Sequence, residues 1–192
     1  MCRRLPTALL IAATMASSAH GATEDLLVYN ELEQNGFSHL SSQYSAGQVN
    51  YASLVLPHTG LYSVRADNHP ASVAVASWAA PAAYSTLSDY DGISFWIFGP
   101  DGSEAIDLVL YSGDDLVGYA SVADMYGAPI PAATWIHLQL SFSSNLFNPS
   151  GLNAKTFTDI AFRFHSAGDG SFLLDDIVLT GADIFKNDFE NP

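Results

Sequence analysis

A β-sandwich of jelly-roll type, all-β and built from about ten short strands, is the fold class this sequence predicts. Three observations carry the prediction. Apolar residues recur with a period of two along most of the chain. The runs are bounded by turn chemistry, in "GPDG", "SGDD", "NPSG" and "AGDG". Windows with helical periodicity are scarce, and only "FNPSGLNAKTF" has room for a helical turn.

Taken in order, the chain opens with a segment that does not belong to the sandwich. Residues 1–22 have a basic start (Arg3, Arg4), an apolar run from Leu9 to Met15 and small residues up to Ala22. That is the layout of a secretory signal peptide, and the apolar run is too short to span a bilayer. The sequence therefore predicts a secreted protein, extracellular or periplasmic. Removal of the segment takes away Cys2, the single cysteine, so core packing, alone or with a metal, would have to do the work of disulfides. It also takes Arg3 and Arg4, leaving four of the six Lys+Arg against 20 Asp+Glu, a formal charge of −16. Such a surface repels nucleic acid and anionic membrane, and it disfavours polyanionic glycans.

Residues 25–181 carry the strands and form one domain. They read as "LLVYN" (26–30), "VNYASLVL" (49–56), "YSVRA" (62–66), "SVAVASW" (72–78), "GISFWIFG" (92–99), "AIDLVLYS" (105–112), "LVGYASV" (116–122), "TWIHLQLSF" (134–142), "DIAFRFHS" (159–166) and "FLLDDIVL" (172–179). The tail 182–192, "ADIFKNDFENP", leaves the alternating pattern.

Phase sorts these strands into faces. Ile106, Leu108 and Leu110 alternate with Asp107, Val109 and Tyr111. Ile136, Leu138 and Leu140 alternate with Trp135, His137 and Gln139, and Ile160, Phe162 and Phe164 with Ala161, Arg163 and His165. Three strands thus pair an apolar face with one of rings, amides and charges. If they neighbour one another, Arg163, His165, His137, Gln139, Asp107, Tyr111 and Trp135 form one patch. Sugars suit that mixture, because their C–H faces stack on rings and their hydroxyls pair with planar donors and acceptors. A solvated outer sheet face is the competing explanation. Trp96 reads as core, since "SFWIFG" is apolar on both sides, and Trp78 fits either role.

Asp175 and Asp176 are adjacent in a strand that is apolar on both faces, so one carboxylate must enter apolar surroundings. With so few cations in the chain, Ca²⁺ is the expected partner. The competing explanation is a carboxylate that caps backbone N–H groups.

The succession "YDGISFWIFG", "TWIHLQLSF", "DIAFRFHS", "SFLLDDIVL", with "LLVYNELEQNGF" before it, resembles the galactose-binding-like jelly-roll carbohydrate-binding modules. The resemblance covers roughly residues 25–181. It implies a sandwich with a structural Ca²⁺ where first and last strands meet, which adds Glu31 and Asn30 to the ligand set. The tail is similar to short C-terminal segments on secreted proteins of some Gram-negative bacteria.

No His-Glu-x-x-His, Gly-x-Ser-x-Gly, phosphate-binding glycine loop or Cys-x-x-Cys occurs in the sequence. The expectation is a non-catalytic protein that binds a neutral polysaccharide or oligosaccharide and does not insert into membranes. Two alternatives stay open: an extracellular glycoside hydrolase or lyase using paired carboxylates, and a structural or adhesive surface protein.

Overall fold

The protein is described by a computed structural model over residues 24–40, 48–68, 73–149, 156–166 and 168–181. The expected signal segment 1–22 and the tail 182–192 lie outside the described residues. The strands are β1 (Leu26–Asn30), β2 (Leu32–Glu33), β3 (Ser38–His39), β4 (Gln48–Ser53), β5 (Ser63–Asn68), β6 (Val75–Ala79), β7 (Tyr90–Gly99), β8 (Ile106–Ser112), β9 (Asp115–Ser121), β10 (Thr134–Ser141), β11 (Asn148–Pro149), β12 (Asp159–Phe164) and β13 (Gly170–Gly181). One short helix, α1 (Val122–Tyr126), follows β9. Ser121 caps it, accepting from Asp124 N at 3.4 Å, and Gly127 ends it at φ +80°.

The strands form two antiparallel sheets. Sheet A has the order β10-β7-β13-β1-β2, with β5 also pairing β13 and β4 pairing β5. Sheet B has the order β11-β9-β8-β12-β6-β3. The expected sandwich is therefore present. The chain alternates between layers, with β7, β10 and β13 in one and β8, β9 and β12 in the other.

The apolar phases meet between the sheets. Ile93, Phe95 and Ile97 of β7 and Ile136, Leu138 and Leu140 of β10 face Ile106, Leu108 and Leu110 of β8 and Ile160 and Phe162 of β12 in one buried cluster. An aromatic seam joins the layers: Phe95 meets Phe162 edge-on at 4.7 Å, Phe162 meets Trp78 at 6.3 Å, and Trp78 meets Tyr29 at 6.0 Å. Each such side chain contributes about 1.5–3 kcal/mol by leaving water, which lets the core hold the fold without a disulfide. Trp78 is thus a core residue.

Most strand expectations agree to within a few residues. The exception is the second one, where β4 ends at Ser53 and residues 54–56 leave the sheet, with Leu56 at φ +43°. The following loop folds onto the outer face of sheet A.

Candidate functional site

The outward faces of β8, β12 and β6 form the first candidate surface. Register places Asp107 opposite Arg163, Val109 opposite Ala161 and Tyr111 opposite Asp159. On the other flank of β12, Arg163 faces Val75 and Ala161 faces Ser77. Directly opposed residues project from the same face, so all of these point away from the core. Val75, Val109 and Ala161 form a small apolar cluster of their own, with Val73, Tyr111 and Leu116 packed against it. The short side chain of Ala161 leaves a depression, a groove of about 260 Å³ bordered by Leu40, Ser77, Tyr111, Asp159, Arg163 and His165.

A buried carboxylate organises one bank of this groove. Asp107 is 5% exposed. Its Oδ2 lies 3.3 Å from His165 Nδ1 and 4.0 Å from Arg163 Nε. Arg163 Nη1 donates to the Tyr111 hydroxyl at 3.1 Å. The guanidinium is thereby held from two sides while it stays partly exposed. On the other bank, burial raises the pKa of Asp159, against a hydrogen bond donated by Thr158 Oγ1 at 2.8 Å, which lowers it. An apolar floor flanked by a fixed planar donor, a tyrosine ring and carboxylates can recognise a hydroxyl-rich ring compound.

The expected single patch is corrected here. Asp107, Tyr111, Arg163 and His165 come together, but Trp135, His137 and Gln139 do not join them. These three face outward from β10 in the opposite sheet, paired with Phe98, Trp96 and Ser94. Every strand of a sandwich has an outer face, and β10 shows its own on the other side of the molecule. Trp96 is also corrected from core to outer face. His58 stacks on its ring at 3.7 Å and 19°, His137 lies 5.0 Å away, and Trp135 meets His58 edge-on at 5.6 Å.

The Asp175–Asp176 pair lies beneath the loop that carries His58. Asp175 is fully buried. Its Oδ2 accepts from the backbone N–H groups of His58 at 3.0 Å and Thr59 at 3.2 Å, and its Oδ1 from that of Asp176 at 2.9 Å. Burial pushes the Asp175 pKa up. The backbone bond from Thr59 opposes that, and the nearby Asp176 charge adds to it. Asp176 sits in a bulge at φ +47° and accepts from Thr59 Oγ1 at 3.2 Å, with His58 Nδ1 at 3.3 Å. Glu31, at φ +64°, accepts from Leu61 N at 2.5 Å. Its carboxylate fills the space beside Gly60, where an added Cβ would lie 1.0 Å from Glu31 Oε1.

Acidic side chains thus tie down the loop from residue 54 to 61. The donor set does not fit the expected calcium ion. Asp175 is turned toward three N–H groups, Glu31 is committed to the Leu61 N–H, and no hydrogen bond brings Asn30 to them among the described residues. No group of three or more His, Cys, Asp or Glu that could hold a metal occurs among the described residues. The geometry matches the competing explanation, a carboxylate capping backbone donors.

The groove floor is not among the residues expected from phase. Val75, Val109 and Ala161 are apolar residues on an outward face, and that interruption of the polar pattern is the signal that was available. His58 gave no signal, because its placement depends on a loop contact 117 residues away in sequence.

No protein-family model and no curated protein matches the sequence. Solved structures do. A family 11 carbohydrate-binding module from Clostridium thermocellum, in complex with a β-1,3-1,4-mixed-linked tetrasaccharide, aligns with a TM-score of 0.54 at 15% identity, covering 84% of this chain and 98% of the module. The family 30 module of a cellulosomal cellulase from the same organism gives 0.57 at 14% identity, over 83% and 98%. A family 29 module gives 0.51 at 10% identity, over 81% and 91%. The fold is that of these carbohydrate-binding modules. At such identities the likeness is one of architecture, and it fits the resemblance read from the strand motifs.

Proposed function

We propose that the chain is a secreted, non-catalytic protein that binds a neutral polysaccharide or oligosaccharide in the groove of sheet B. The observation that carries this reading is the buried Asp107 carboxylate beside Arg163 and His165, at the edge of an apolar groove that also holds Tyr111. Arg163 would give paired donors to vicinal hydroxyls, Asp107 would fix it, and the floor would take the C–H faces of the sugar. The sandwich shared with carbohydrate-binding modules supports the reading, as does the oligosaccharide held by the family 11 module. The net charge of −14 argues for a neutral glycan over a polyanion. The signal-like residues 1–22 support export, and the mass of the exported chain tests it.

The test is titration calorimetry with soluble β-1,3-1,4-mixed-linked glucan and a panel of other neutral glycans. Arg163→Ala should weaken binding at least about tenfold, as expected for a lost charge-assisted hydrogen bond, with the native circular-dichroism spectrum retained. Arg163→Ala binding as the native protein does, or a native protein that binds no glycan, would refute the proposal. Turnover of a bound glycan would move the protein to the enzyme class.

A further inference from the structure

We infer that Tyr119 is a second sugar platform, extending the groove across β9 so that the site reads an oligosaccharide and not a single unit; the inference rests on the glycan reading above. Tyr119 pairs with Val109 across β8–β9, so its ring projects from the face that carries the groove floor. It is 39% exposed and makes no hydrogen bond or ring contact among the described residues. Of the large exposed apolar side chains among the described residues, only Tyr119 and Tyr126 are aromatic. Tyr126 belongs to α1, which leaves Tyr119 as the one on this sheet face.

The two tyrosines of the face are in different states. Tyr111 has its hydroxyl engaged by Arg163 and its ring packed against the floor cluster. Tyr119 sits on the next strand, opposite Val109, with its ring unengaged. The backbone beneath it is held in place. A Cβ added at Gly118 would meet the Phe147 ring at 2.3 Å, so that ring fills the inner side of β9, and Phe147 itself is buried. A tyrosine with two rotatable side-chain bonds, projecting from a supported strand, stacks on a ligand at little ordering cost.

Volume points the same way. The groove holds about 260 Å³ and its lining stops at Tyr111 on β8. Sites that enclose a ligand of drug size run to about 300–1,000 Å³, so a chain of several sugars must continue over neighbouring surface. Toward β9, Tyr119 is the aromatic side chain it meets.

The experiment compares the β-1,3-1,4-mixed-linked tetrasaccharide with the disaccharide cellobiose by calorimetry on native protein, Tyr119→Ala, Tyr119→Phe and Arg163→Ala. Tyr119→Ala should lose about five- to tenfold in affinity for the tetrasaccharide, as expected for one stacking contact. It should bind cellobiose like the native protein. Tyr119→Phe should stay within about twofold of native on both ligands. Unchanged tetrasaccharide affinity in Tyr119→Ala, with Arg163→Ala impaired, overturns the platform and leaves the groove standing. Equal losses on both ligands with a lowered thermal midpoint also overturn it, because they indicate a structural role. Failure of the native protein to bind either ligand overturns the platform as stated, and native-like binding by Arg163→Ala overturns the glycan reading and the platform with it.

Discussion

Replacing Asp175 with alanine tests what holds the loop from 54 to 61 on sheet A. The carboxylate is fully buried and accepts from three backbone N–H groups, at 3.0, 3.2 and 2.9 Å. Hydrogen bonds to a charged group contribute about 1.5–3 kcal/mol each. Relief of carboxylate desolvation offsets part of that sum, and the loop donors can turn to water once the cap is gone. A net loss of ~1–3 kcal/mol follows, the cost of a buried donor left without its acceptor. For a domain of this size that corresponds to a fall of roughly 2–12 °C in thermal midpoint. Urea unfolding of native protein and variant, followed by tryptophan fluorescence, measures it, because Trp96 lies under His58 in the same assembly.

Asp175→Asn adds a pH signature. Burial raises the folded pKa above the ordinary 3.8, so the folded state holds the proton more tightly than the unfolded chain does. Native protein should therefore gain stability relative to Asp175→Asn as pH falls through the folded pKa, the reverse of a salt-bridged carboxylate. A loss under about 1 kcal/mol in Asp175→Ala would refute the capping argument, since it would fall below the cost of even one unsatisfied buried donor. So would a native midpoint that drops in chelator and is restored by Ca²⁺, because an ion and not the N–H groups would then occupy the carboxylate.

Three further outcomes follow from packing and titration. Gly118→Ala should cost about 1–3 kcal/mol in urea unfolding, as overpacking against the Phe147 ring; a neutral result would mean that the ring moves freely. Trp78→Phe should cost less than the ~3–5 kcal/mol of an aromatic-to-alanine change, because it also removes a buried indole N–H that has no acceptor among the described residues. A full-sized loss on unfolding would show that this N–H is satisfied. Burial raises the pKa of Tyr90 to about 12 and pushes Tyr29 and Tyr51 up as well. Above pH 10 the folded state therefore keeps protons that the unfolded chain has lost, and stability should fall steadily between pH 10 and 12. Tyr90→Phe should flatten that slope, and an unchanged slope would refute the assignment.

The fold was legible because its determinant is local. A period of two with turn residues at its ends requires nothing distant, and β7, β8 and β10 appear within two residues of where the alternation places them. Short strands such as β2 and β3, at two residues each, carry too little pattern to be read. The helix α1 was missed although its signals are present: a serine cap, an aspartate in the first turn and a glycine stop. Five residues sandwiched between strands show no helical period.

Half of the site was legible, and the split has a geometric cause. Alternation distinguishes inward from outward, so it correctly turned Arg163, Asp107, Tyr111, His137 and Trp135 away from the core. It has no means of saying which of two outer surfaces an outward residue joins. That depends on sheet membership, which the connections set: residues 122–133 lead from β9 in sheet B to β10 in sheet A. The same limit explains why one carboxylate of the Asp175–Asp176 pair is expected inside while neither which one nor its partners can be named. Their donors are backbone atoms of His58 and Thr59, and a backbone N–H has no residue type by which a sequence could announce it.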